Sequence, residues 1–131
     1  MTTVLDAWAL VAYLQDEPSA PTVERAIRAR DAIVSDVNLG EVLYKVARRD
    51  GDVAARHVVR GLRSLVNAEE PDWALTGAAA LIKAHHRLSY ADAFAVATAL
   101  RHDAPLYTGD PEIVALPKLL EVVDLRKGAS P

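Results

Sequence analysis

Asp6, Glu41, Asp92 and Asp110 are the residues of this sequence whose type and setting could do chemistry. Asp92 lies in "LSYADAFAVATAL", where only it and Thr98 interrupt an apolar run from Ala91 to Leu100. No Lys or Arg stands near it on its own helix. Glu41 sits between Val37 and Tyr44, so its side of a helix looks partly inward. A buried carboxylate without a partner costs several kcal/mol or gives up its charge. Several gathered in one place also repel, which raises at least one pKa. A divalent cation removes both costs, and an oxygen-only donor set suits the hard ions Mg²⁺ or Mn²⁺.

Each acid also has a plain structural explanation. Asp6 can cap a helix that follows directly. Asp110 can cap one with Pro111 in its first position. Asp92 can complete a capping box with Ser89 in "SYAD". Glu41 can pair with Lys45 one turn later. Both readings of each residue stand at this point.

The elements around them decide whether the acids can meet. Val4-Leu5 reads as a first strand, then "AWALVAYLQ" as a helix, with "EPSAP" breaking it. "TVERAIRARD" is a second, more polar helix, and "AIVS" (32–35) has the continuous apolar pattern of a strand covered on both faces. Two helices follow, over "DVNLGEVLYKVARRDG" and "DVAARHVVRGLRSLVN". "EEPDW" (69–73) reads as a weak strand, followed by helices over "ALTGAAALIKAHHR" and the Asp92 segment (87–102). "APLYTG" (104–109) is a strand, "DPEIVAL" a short helix, "LLEVVDL" the last strand, and 126–131 a frayed tail. Strands alternating with helices predict one α/β domain over 1–131: a three-layer α/β/α sandwich around a mostly parallel sheet. Ligands of such sheets sit at the carboxyl ends of the strands. Asp6 and Asp110 follow strands there, and Glu41 lies one to two turns into the helix after another. Asp92 joins them only if its helix starts at that rim.

Composition narrows the chemistry. The chain has 131 residues and no cysteine, which excludes disulfides, thiolate metal sites and cysteine nucleophiles. The apolar N-terminal stretch lacks a basic leader and meets Asp6, Asp16 and Glu17, so no signal peptide is expected; no run reaches transmembrane length. The cytoplasm is the expected location. The net charge of −3 does not advertise a nucleic-acid binder, but committing four acids to a metal would leave the remainder slightly basic. His57, His85, His86 and His102 fall on helices away from the predicted strand ends, so none is placed as a general base.

The four segments taken in order resemble the PIN-domain ribonucleases, and more closely the VapC toxins of prokaryotic toxin–antitoxin pairs. These are Asp6 after a short strand, "VSDVNLGEV", "LSYADAFAVATAL" and "PLYTGD". The resemblance spans nearly the whole chain. It implies an acidic pocket of Asp6, Glu41, Asp92 and Asp110 that holds one or two Mg²⁺ or Mn²⁺ ions. It also implies endonucleolytic cutting of RNA by in-line attack of metal-activated water, leaving 5′-phosphate and 3′-hydroxyl ends. Thr108 matches the hydroxyl residue before the last acid. Ser35 and Asn38 fall where polar helpers occur, and Glu112 where some members carry a further acid. Ala7-Trp8 departs from the small hydroxyl residue that many members place after the first Asp. The resemblance further implies a homodimer and a cognate antitoxin whose tail covers the pocket.

RNA would need cationic surface. Arg56, Arg60 and Arg63 make a basic stripe on one helix, Arg25 and Arg28 a shorter one, and Arg48-Arg49 close another helix. Phosphate contact, a solvated face and a dock for an acidic antitoxin segment all fit such stripes. Trp8 and Trp73 read as core or interface, as does the Ala/Leu pattern of the first two helices. Two other classes compete. A Mg²⁺-dependent phosphohydrolase of the haloacid-dehalogenase type would want an Asp at position 8, which is Trp. A phospho-acceptor signalling module would want acids paired beside strand one and an acceptor Asp ending strand three, where the sequence offers a lone Asp6 and Trp73; a non-catalytic binding module that kept the fold is opposed by the presence of all four acids.

Overall fold

A computed structural model describes residues 1–127. Five parallel strands form one sheet in the order β3-β2-β1-β4-β5. They are β1 (Thr3–Leu5), β2 (Ala32–Ser35), β3 (Asn67–Glu69), β4 (Leu106–Thr108) and β5 (Val122–Asp124). Helices α1 (Ala7–Leu14) and α2 (Ala20–Arg28) join β1 to β2. Helices α3 (Asp36–Asp50) and α4 (Asp52–Leu65) join β2 to β3. Helices α5 (Trp73–His85) and α6 (Tyr90–Arg101) join β3 to β4, and α7 (Pro111–Val114) precedes β5.

The strand alternation sorts side chains into two cores, one on each face of the sheet. Leu5, Ala32, Val34, Tyr107 and Val123 face a core built with α1, α2, α3 and α4. Val4, Ile33, Leu106 and Val122 face a second core built with α5, α6 and Ile113 of α7. Successive strand residues point to opposite faces, so both faces of each central strand must be apolar. Val4, Leu5, Leu10, Val34 and Leu106 are fully buried, each worth about 1.5–3 kcal/mol of transfer free energy. The three-layer sandwich expected from the alternating elements is the observed architecture. The Ala/Leu pattern of α1 belongs to the first core: Ala7, Ala9, Leu10 and Ala12 are buried within the chain.

Helix starts are set by side chains at strand ends. Asp6 accepts from Ala9 N to start α1, and Ser35 accepts from Val37 N to start α3. Ser89 accepts from Asp92 N to start α6, and Asp110 accepts from Glu112 N to start α7. Each satisfies a backbone donor that the helix itself cannot. Between α3 and α4 the chain passes through Gly51 at φ 91°, a left-handed turn that glycine adopts without steric cost.

Two expectations need correction. The segment 69–73 is not a strand. Pairing uses Asn67–Glu69 beside β2, because Pro71 has no N–H to offer a ladder and Asp72 already caps α5. Trp73 is not core: at the first position of α5 it is 81% exposed. After β5, Leu125 is buried in the first core, and Arg126 holds Asp124 with two guanidinium bonds of 3.0 and 2.9 Å. Residues 128–131 lie outside the described residues.

Candidate metal centre

Asp6 is buried immediately after β1. One of its oxygens accepts from Ala9 N at 2.9 Å and the other from the Thr108 hydroxyl. Thr108 in turn accepts from Asp110 N at 2.9 Å. That hydroxyl therefore ties the ends of β1 and β4 together and fixes two acids relative to each other. The second core presses α6 onto the same rim, and the carboxylates of Asp92, Asp110 and Glu112 come within 4.8 Å of one another. The condition set by the sequence for Asp92 is met: its helix starts beside Asp110.

Glu41 approaches from α3. Its Oε2 lies 3.0 Å from Lys45 Nζ, while its Oε1 is buried without a hydrogen-bond partner. Asn38, fully buried one turn earlier, donates from Nδ2 to Ala91 O at 3.0 Å and so fastens α3 to the start of α6. Its Oδ1 also lacks a partner. Ser35 is spent on the α3 cap.

Charge coupling shows that the acids share one neighbourhood. Burial pushes the Asp6 carboxyl up to about 7, although bonds from Thr108 and Ala9 pull the other way; the charges of Asp110 and Glu41 add to the rise. Asp92 is raised for the same reason, first by burial and then by Asp110, with a smaller part from Asp6. Burial works against the charge of Lys45, but the hydrogen bond and charge of Glu41 outweigh it and its pKa is raised, with Asp92 contributing. Desolvated carboxylates that push one another's pKa upward are the electrostatic signature of a site built for added positive charge.

The donor set fits a hard divalent cation. All donors are carboxylate or amide oxygens, three of the acids share one 4.8 Å cluster, and the buried Glu41 Oε1 has nothing else to bind. The tightest cluster contains Glu112, with Asp6 and Glu41 coupled to it by charge rather than by contact.

The PIN domain family profile matches residues 3–119. The chain belongs to the PIN-domain family. No curated protein matches it. Solved structures of similar fold include a VapBC complex of Rickettsia felis bound to a promoter DNA fragment, at 16% identity and TM-score 0.75, covering 95% of this chain and 98% of that one. A sarcin–ricin-loop-cleaving VapC toxin of Mycobacterium tuberculosis aligns at 20% identity and TM-score 0.71, over 87% of this chain and 94% of that one. The FitAcB structure of Neisseria gonorrhoeae aligns at 18% identity and TM-score 0.70, over 94% and 97%. At these identities the likeness establishes the PIN fold.

Other sequence candidates lie elsewhere. Arg56, Arg60 and Arg63 are exposed and, with Leu43 and Val59, line a groove of about 350 Å³ on the α3–α4 side. Arg63 is already paired with Asp36. Arg28 pairs with Glu24 at 3.0 Å and Arg49 with Asp50 at 3.0 Å, so one arginine of each shorter stripe is neutralised. His102 bonds Glu69 at the far end of α6, and His57 and His85 are exposed.

Sequence reasoning missed the part played by Trp8. Its ring lies over Gly109, where a built Cβ would meet Trp8 carbons at 2.3–2.5 Å. It also walls a cleft of about 420 Å³ bounded by Val11, Pro18, Lys45 and Leu125. The signal was present: a bulky residue two places after Asp6 and a glycine one place before Asp110. Gly109→Ala is expected to destabilise the protein by about 1–3 kcal/mol through overpacking. Adding Trp8→Leu should recover part of that loss, and thermal unfolding of the two singles and the double decides it. Additive losses would show that the ring and the glycine do not constrain each other.

Proposed function

We propose that this protein is a divalent-metal-dependent endoribonuclease and the toxin of a cytoplasmic toxin–antitoxin pair, acting as a single catalytic domain. The convergence of Asp6, Asp92, Asp110 and Glu112 at one sheet rim, with the orphaned Glu41 oxygen beside them, supports this reading most directly. Membership of the PIN family and the toxin–antitoxin identity of structures sharing the fold support it further. Among the described residues no helix is long and apolar enough to cross a membrane.

In this mechanism Asp6, Asp92 and Asp110 would hold the ion, with Glu41 as a further ligand or as the holder of an attacking water. A bound Mg²⁺ or Mn²⁺ supplies charge for the scissile phosphate and acidifies a coordinated water. Thr108 keeps Asp6 and the backbone of Asp110 at fixed separation. The unpartnered carbonyl of Asn38 would accept from a water, and Glu112, the exposed member of the cluster, would add a further charge for the ion or the substrate. Arg56 and Arg60, unpaired by Asp36, contact the RNA backbone, with Arg63 at the edge of that surface. The antitoxin is a small partner protein that covers the pocket, and the active unit is a homodimer.

The test is cleavage of structured and unstructured RNA with Mg²⁺, with Mn²⁺ and with EDTA, followed by mapping of the ends. Metal-dependent cuts bearing 5′-phosphates are expected. Equal activity with and without EDTA would reject the metal reading, and hydrolysis of small phosphate esters without RNA cleavage would favour a phosphohydrolase.

A further inference from the structure

We propose that Lys45 is the resident counter-ion of the acid pocket, and that it passes from Glu41 to an RNA phosphate when the pocket is loaded with a divalent ion. This rests on the metal-dependent nuclease reading above and deepens it. The inference starts from the way Glu41 is divided: Oε2 is held by Lys45 Nζ at 3.0 Å, while Oε1 is buried without a partner. Lys45 is the only cation bonded to any of the four acids that the sequence singles out, among the described residues. A carboxylate that is only 16% exposed and half-satisfied is a poor resting partner for a surface lysine. It is a good one for a cation that takes both oxygens.

The placement of Lys45 gives the second half. Its side chain is 45% exposed, so it reaches from solvent to Glu41 on a flexible four-carbon stem. It also lines the cleft walled by Trp8, Pro18 and Leu125. An ion held by Glu41 would repel the ammonium, which is then free to leave the carboxylate on its solvent side. On the nuclease reading, the anion such an ammonium would meet is a phosphate of the RNA strand. Lysine suits this role because its ammonium is a point charge that can change partners without the fixed geometry of a guanidinium.

Mn²⁺ affinity, measured by calorimetry, separates this from a merely structural ion pair. Lys45→Met removes a positive charge beside the site, so Mn²⁺ should bind more tightly, by at least about tenfold, the value for a univalent charge about 6 Å from a divalent ion at the permittivity of bulk water, near 80. The same variant should lose about tenfold or more in kcat/KM on RNA, mostly in KM, because the phosphate contact is gone. Lys45→Arg should restore the wild-type Mn²⁺ affinity and part of the RNA affinity. Thermal unfolding without metal checks that both variants fold. Unchanged or weaker Mn²⁺ binding by Lys45→Met overturns the counter-ion role. Wild-type kcat/KM in that variant overturns the phosphate role. Failure of the wild-type protein to bind Mn²⁺ at all would instead bring down the metal reading, a result that shows before any variant is made.

Discussion

Asp6→Asn should lower RNA cleavage by about 10²–10³-fold while the protein stays folded. Asn still offers one oxygen to Ala9 N, so the α1 cap survives, since Asn and Asp are near-equal caps. What is lost is the charge that an ion needs. Removing it also removes a carboxylate that is buried and surrounded by Asp110 and Glu41, so metal-free stability should hold or rise. Asp6→Ala is the informative contrast. It leaves Ala9 N and the Thr108 hydroxyl without their acceptor, and should cost about 1–3 kcal/mol of stability besides the activity. Rate and melting temperature of both variants, measured side by side, separate the chemical role from the capping role. Asp6→Asn cleaving like wild type would remove Asp6 from the metal centre.

The second large effect is on stability and depends on pH and metal together. Asp6 has an ordinary value near 3.8 in the open chain and about 7 in the folded protein; Asp92 is raised as well. The folded state therefore binds more protons than the unfolded state between about pH 4 and pH 7. Stability must fall as pH rises through that interval, in contrast to the usual salt-bridged carboxylate. Below about pH 4 both states are protonated and this contribution is fully present; above the folded value it is gone. Metal-free protein should thus melt several degrees lower at pH 8 than at pH 5.5. Mg²⁺ or Mn²⁺ should raise the pH 8 melting temperature by about 5 °C or more when the ion is well above its Kd, and should do little at pH 5.5, where protons already occupy the carboxylates. Thermal unfolding at the two pH values with EDTA or with added ion reads this directly. A melting temperature indifferent to metal at pH 8 would contradict the site.

Much of this was legible in the residues. The run "AIVS" marked β2 to the residue because a strand covered on both faces has to be apolar throughout. Asp6 and Asp110 could be placed because each is the first polar residue after a short apolar strand. Asp92 was legible as an anomaly, an acid in a helix whose residues 92–99 are all buried. What could not be read were distances set by packing between remote segments. Nothing in "NAEEPDW" says that Asn67–Glu69 pairs while Pro71 and Asp72 turn the chain into α5, since the edge strand is only half covered and its pattern is weak. Trp73 looks like a core residue by type, yet the helix turns it outward. The ring of Trp8 over Gly109 joins residues about a hundred positions apart, and only the register of β1 beside β4 brings them together. The closeness of Glu112 to Asp92 and Asp110 is likewise a product of the α7 start rather than of any local pattern.

Asp6 and Asp110 each begin a helix with the same carboxylate that faces the cluster, and the Asp92 amide completes the cap made by Ser89. If the protein is the nuclease toxin proposed above, mutational drift toward a harmless form is channelled by that dual duty. Lineages that discard cleavage but still need the scaffold, to occupy an antitoxin for instance, will keep Asn or Ser at positions 6 and 110 and avoid Ala or Val. A disarmed descendant should be recognisable by amides and hydroxyls standing where acids once stood.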